Sequence, residues 1–174
     1  MNFSIAYGKT KHGLSRDWRV SVEEAEKTVN LWYSNRPEVK SWQDRQHAFV
    51  QQHGWVCTLL GRQRRLPDAR GKGNSAAKAH ALRAAINTPI QGGAADLAML
   101  AMLQLDRSEL LRRLGWRLLM QIHDEVILEG PSESSAEALQ EVKTVMSHPF
   151  GGKNLLLCDL DVSAKVAHSW FEGK

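Results

Sequence analysis

The amino-acid sequence predicts an α+β fold in which helical blocks alternate with short antiparallel hairpins. Three observations carry this expectation. A capping box at Ser21-Val22-Glu23-Glu24 opens a run of apolar residues at helical spacing. A second helical block lies on either side of Thr88-Pro89. Trp116–Ile122 then alternates with period two before a polar bend. The chain has 174 residues, 43% hydrophobic and 24% charged, enough to bury a core in one ordinary domain. No apolar run is long enough to span a bilayer, so a membrane is not an expected partner. The first residues, MNFSIAYGKTKHG, show neither a secretory nor a transit pattern, and no targeting signal is expected in this chain. Cys57 and Cys158 stand far apart with no paired Cys/His spacing, which suits inert thiols in a reduced compartment and argues against zinc.

In chain order, Phe3 and Tyr7 are four apart and share one face of a helix that Gly8 ends. Val22, Ala25, Val29 and Trp32 line the helix behind the capping box. Pro37 suits the first turn of a second helix, which runs to about His53 with Val39, Trp42, Phe49 and Val50 as its stripe, and Gly54 stops it. Trp55–Leu60 is β-like and turns at Gly61, with Arg64–Pro67 as partner strand. Gly71–Ser75 reads as loop. Helical pattern covers Ala76–Asn87, bends at Thr88-Pro89, and continues from about Gln91 to Leu105. That last stretch is apolar on nearly every side, which predicts a place inside the fold. A short helix over Arg107–Leu114 ends at Gly115. Trp116–Ile122 is a strand with Leu118, Met120 and Ile122 on one face, and Val126–Leu128 is the next. An amphipathic helix follows over Ser134–Ser147, with Leu139, Val142 and Met146 inward. Leu155–Val166 is strand-like again.

Chemistry concentrates at four places. His123, Asp124 and Glu125 must sit at the bend between two apolar strands. Carboxylates in a partly dry site need a compensating partner, and a divalent cation such as Mg²⁺ takes oxygen ligands of this kind. Neighbouring strand residues point oppositely, so one of Asp124 and Glu125 is the expected ligand, while His123 could donate to a phosphate or sugar oxygen. On the triplet alone, a solvated β-turn is the commoner use. Phe3 and Tyr7 could stack on a base, although core packing is the more frequent role of such a pair. Arg83, Asn87 and Gln91 recur every four residues on one helix face and suit minor-groove base edges and sugars. Finally, the formal charge of +4 is unevenly placed. Between Arg62 and Arg83 stand Arg62, Arg64, Arg65, Arg70, Lys72, Lys78 and Arg83 against Asp68 alone, a balance that suits either nucleic acid or a solvated loop.

These pieces fall in a familiar order. NFSIAYG (Asn2–Gly8) resembles the end of the fingers helix, motif B, of family A (polymerase I-type) DNA polymerases. TLLGRQRRLPD (Thr58–Asp68) resembles the segment that follows it. RAAINTPIQGGAAD (Arg83–Asp96) is similar to the family's signature helix, and QIHDEVILE (Gln121–Glu129) to its motif C. INTPIQGGAAD, LGWRLLMQIHDEVILEGP and MSHPFGGKN look most like plant and algal organellar members.

The resemblance covers almost the whole chain and implies a partial polymerase palm, with motif C on an antiparallel hairpin, plus a helical fingers segment. About 1–80 would be fingers and about 81–174 palm. It implies templated nucleotidyl transfer to a primer 3′-hydroxyl in DNA replication or repair, with two Mg²⁺ ions flanking an in-line attack on the α-phosphate. Asp124 would be a palm ligand of the metals, Glu125 would support it, and His123 would lie near the primer terminus. Phe3 would lie against the incoming sugar and Tyr7 would stack at the insertion site. Arg83, Asn87 and Gln91, with Arg62 and Arg64 from the basic segment, would hold the primer-template. Primer-template DNA and a deoxynucleoside triphosphate are the implied partners, a plastid or mitochondrion the implied location, and no oligomer is expected.

Two further expectations follow. Motif A, with the second metal-binding Asp, and the triphosphate-gripping Arg and Lys precede motif B in the family and are not among these residues. The two-metal site is then incomplete, and the 174 residues alone are expected not to polymerise, as for a fragment or remnant. Apolar surface around Met120 and Ile122 should also stand uncovered. The rival readings are a single-subunit RNA polymerase, whose motif C is usually HDS rather than the HDE at His123–Glu125, and a non-catalytic DNA-binding remnant with salt-sensitive, Mg²⁺-independent binding.

Overall fold

The computed structural model describes residues 2–71 and 74–173, the side chains of residues 2 and 3 excepted. It divides into two compact units, Met1–Gly93 and Ala94–Lys174, and its strands form two separate antiparallel hairpins.

The first unit opens with α1 (Asn2–Ala6), closed by Gly8 at φ +71°, a conformation glycine reaches without strain. Next comes α2 (Lys11–Trp18), which the sequence pattern did not disclose. Its signals are local: Thr10 Oγ1 accepts from Gly13 N at 3.2 Å, and only Leu14 is fully buried. The capping box works as read. Ser21 Oγ accepts from Glu24 N at 3.1 Å and α3 (Val22–Ser34) follows. α4 (Pro37–His53) starts on Pro37 and stops at Gly54, which has φ +79°. Ile5, Leu14, Ala25 and Trp32 close one small core.

Strands β1 (Trp55–Cys57) and β2 (Gln63–Arg65) are shorter than the pattern suggested, and pair with Val56 opposite Arg64. Pro67 does not extend β2; having no N–H to give a ladder, it opens a 3-10 turn over Pro67–Ala69. Val56, Leu66 and Ala69 pack with Val50 of α4 and with Ala81, Ala84 and Ala85 of the long helix α5 (Ser75–Arg107).

α5 is one helix that runs through Thr88-Pro89, with Pro89 inside it. Pro89 gives up one backbone donor, and the Thr88 hydroxyl adds a bond one turn back, donating to Ala84 O at 2.7 Å. The expectation that its apolar second half is enclosed is corrected. Asp96, Ala101 and Leu105 are buried, but Met99 and Leu103 are half exposed. A helix apolar all round is enclosed only where neighbours cover every side, and here one side is covered.

The second unit continues with α6 (Glu109–Arg113), capped by Ser108, then β3 (Arg117–Ile122) and β4 (Glu125–Glu129). Leu118 pairs with Leu128, yet Met120 pairs with Ile127, so Leu119 is a bulge. The single face expected for Leu118, Met120 and Ile122 is therefore split. Val126 and Leu128 pack into the core with Leu114 and Trp116. By register, Leu118 shares their face, while Met120 and Ile122 lie on the other with Ile127 and Glu125. Met120 stands exposed, as expected.

α7 (Ser135–Ser147) supplies Ala138 and Val142 to this core, with Met146 packed against it. Leu155–Val166 is not a strand: it has no ladder partner, and Leu155 and Leu157 project into solvent. A last turn, α8 (Trp170–Gly173), ends the description. No helix among the described residues is long and apolar enough to cross a membrane.

Gly130 lets β4 pass the Trp116 indole, whose Nε1 donates to Ser134 Oγ at 2.9 Å. A Cβ at position 130 would overlap that ring. Gly130→Ala is expected to destabilise this unit by about 1–3 kcal/mol, read as a lowered urea midpoint. An unchanged midpoint would show that the indole yields freely.

Candidate nucleic-acid interface and acidic turn

In the first unit, the end of α1 meets α5. A Cβ on Gly8 would approach Ile86 Cδ1 at 2.9 Å and Arg83 Cγ at 3.8 Å, so the backbone beside Tyr7 lies against the start of the Arg83–Asn87–Gln91 row. Tyr7 is half buried and is engaged within the chain. The side chain of Phe3 lies outside the described residues, as does Lys72. Along α5, exposure grows from half-buried Arg83 and Asn87 to exposed Gln91. Asn87 Oδ1 is shielded from water with no donor beside it among the described residues, an acceptor with spare capacity.

Arg62 and Arg64 reach the same stretch of α5 from the β1–β2 hairpin. Arg62 Nη2 donates to Gly92 O at 3.4 Å, and Arg64 Nη1 to Thr88 Oγ1 at 3.2 Å. The Arg64 guanidinium keeps further N–H groups for another acceptor, because its five donors exceed this one bond among the described residues. The two cations thus meet α5 one residue beyond Asn87 and one beyond Gln91. Thr88 is the member that periodicity could not reveal: it is buried, takes the Ala84 carbonyl and receives Arg64.

In the second unit, the bend is a two-residue turn, His123-Asp124, closed by the pair Ile122 and Glu125. His123 has φ +56°, and Arg19, at a helix end, is the other described non-glycine residue with positive φ. Two-residue hairpins call for positive φ at the first central position, which an imidazole accepts at some cost. Gln121 Nε2 donates to His123 O and pins the turn. His123, Asp124 and Glu125 are all exposed, which corrects the expectation of a partly dry site: within this chain no desolvation forces a partner on the acids. Neither carboxylate has a hydrogen bond or ion pair among the described residues.

No group of three His, Cys, Asp or Glu side chains comes together among the described residues. Mg²⁺ does not require one. It is commonly held by one or two carboxylates, with phosphate oxygens and water completing its shell, and a free carboxylate at Asp124 fits such a contribution.

The sequence profile of DNA polymerase family A matches residues 1–172. The chain belongs to that family. It is 58% identical to DNA polymerase I B, chloroplastic/mitochondrial, of Arabidopsis thaliana over all 174 residues, which are 16% of that protein. Identity is 56% with DNA polymerase I A, chloroplastic, of Oryza sativa subsp. japonica, covering 17% of it, and 34% with the thermostable DNA polymerase I of Thermus aquaticus, covering 20%. The chain thus spans about a sixth to a fifth of the length of these relatives. Among solved structures it is similar to the POL domain of Pol1 from M. smegmatis in complex with DNA primer-template and dNTP. The TM-score there is 0.81 at 31% identity, over 86% of this chain and 26% of that one.

Thr88→Val keeps the volume but removes the hydroxyl that joins Ala84 and Arg64. It is expected to cost about 1 kcal/mol in urea unfolding. No loss would show that the threonine only fills space.

Proposed function

We propose that this chain is the fingers-and-palm part, about 1–80 and about 81–174, of a DNA-directed DNA polymerase that extends a primer 3′-hydroxyl on a template in organellar replication or repair. The observation that carries the proposal is the unpaired, exposed carboxylate of Asp124 at the tip of a tight hairpin, in a chain whose whole length matches family A. The chloroplastic and mitochondrial names of its plant relatives support a plastid or mitochondrial location.

Asp124 contributes one oxygen ligand toward Mg²⁺, and Glu125, one step along β4, supports it. When bound, the metal neutralises charge on the reacting phosphate oxygens. His123 lies in the same turn and can donate to a sugar or phosphate oxygen near the primer end. Tyr7 offers a ring to the incoming base pair, and Phe3 is assigned to its sugar. Arg83, Asn87 and Gln91 grip the primer-template beside the new pair, through side chains that can donate to the acceptors of any minor groove. Arg62 and Arg64, already held by α5, reach the backbone phosphates. The roles of a second metal-binding acid and of triphosphate-binding cations are assigned to no residue here.

In the intact polymerase, Asp124→Asn is expected to lower kcat for primer extension by about 10²–10³-fold or more, the scale of losing one charge contact in the transition state, with primer-template affinity kept. Activity within a few-fold of the parent would remove Asp124 from the metal site.

A further inference from the structure

The last carbonyls of a helix have no partner within it. At the end of α1 the backbone N–H groups of Gly8 and Lys9 meet those of Ile5 and Ser4, and a side chain from a neighbouring helix meets that of Ala6. Gln43 of α4 is 4% exposed, and its Nε2 donates to Ala6 O at 2.8 Å. Tyr33 of α3 donates its hydroxyl proton to Gln43 Oε1 at 2.8 Å, and its oxygen stands 3.3 Å from Ile5 O. Ile5 O also accepts from Gly8 N at 2.9 Å. A buried amide is costly unless both its ends are paired, and here the oxygen and the nitrogen each have a partner. An apolar side chain would fill the position without that demand.

These bonds converge on the peptide units that lead into Tyr7. Ala6 O belongs to the peptide joining Ala6 to Tyr7, and Gly8, left-handed at φ +71°, closes the turn, with its own N–H on Ile5 O at 2.9 Å and the Lys9 N–H on Ser4 O at 3.0 Å. The last turn of α1 sets where the Tyr7 side chain leaves the backbone, and Tyr7 has a further interaction of its own within the chain. We infer that Gln43 and Tyr33 are positioning residues, a buried polar clamp that fixes the end of α1 and so aims Tyr7 at the incoming base pair, a role that depends on Tyr7 standing at the nucleotide as proposed above.

Single-nucleotide insertion by the intact polymerase tests this, with Gln43→Leu, Tyr33→Phe and Tyr7→Ala compared. Each clamp variant is expected to raise KM for the incoming nucleotide about five- to tenfold with kcat within about twofold, the scale of one lost buried hydrogen bond. Relative insertion opposite a mismatch should rise similarly. On a Tyr7→Ala background, adding Tyr33→Phe should change neither quantity further. Tyr33→Phe removes a single oxygen, so it keeps the test open if Gln43→Leu fails to fold. If Tyr7→Ala alters both quantities but Tyr33→Phe alters neither, whatever its effect on the melting temperature, the clamp inference is overturned. Additive effects in the double variant would overturn it too. If Tyr7→Ala itself alters neither, the placement of Tyr7 at the nucleotide fails and the clamp falls with it.

Discussion

An exposed carboxylate with no bonded partner among the described residues is the constraint around which the second unit is built. Asp124 occupies a two-residue turn, the shortest connection two antiparallel strands allow, and such a turn leaves its side chains little to lean on. The strands must supply the order. Val126 and Leu128 anchor β4 in the core with Trp116, and α7 closes that core from behind. The strained φ at His123 is offset by this packing and by the Gln121 side chain that holds its carbonyl. With no partner among the described residues, the exposed carboxylate stays available to an external cation.

The first unit solves the opposite problem, keeping cations and amides ready without letting them collapse onto the protein. Arg62 and Arg64 are tethered to α5 through neutral acceptors, a backbone carbonyl and a threonine hydroxyl. Tethering also fixes part of the side-chain entropy in advance, which lowers the cost of ordering them on a bound strand. The same economy explains why one continuous helix carries Arg83, Asn87 and Gln91: a rigid rod sets their spacing at about one turn each.

Much of this was legible in the sequence because it depends on local rules. The Ser21 cap, the Pro37 start, the Gly54 stop and the bend that begins at His123 each follow from backbone chemistry within four residues, although Glu125, expected in that bend, already stands in β4. The i, i+4 row on α5 follows from helix geometry. What periodicity could not supply was tertiary. The bulge at Leu119 moves Met120 and Ile122 to the other face, because strand register is settled by the partner strand as well as by the pattern. Leu155–Val166 has strand-like residues and no partner, and Pro89 sits within a helix that its neighbours sustain. Gln43 and Tyr33 read as ordinary polar positions, since their purpose lies on an element more than twenty-five residues earlier. The dryness expected at the acidic turn was inferred from flanking apolar strands, but a two-residue tip projects beyond them.

A metal-specificity switch at Asp124 tests the central claim most directly. With Asp124→Cys in the intact polymerase, a thiolate replaces the carboxylate, a soft ligand that Mg²⁺ takes poorly and Mn²⁺ or Cd²⁺ accepts more readily. The account predicts that primer extension is lost with Mg²⁺ and partly restored by a thiophilic ion, with no such gain for the parent protein. Full activity of the cysteine variant in Mg²⁺, or loss that no thiophilic ion relieves, would contradict it.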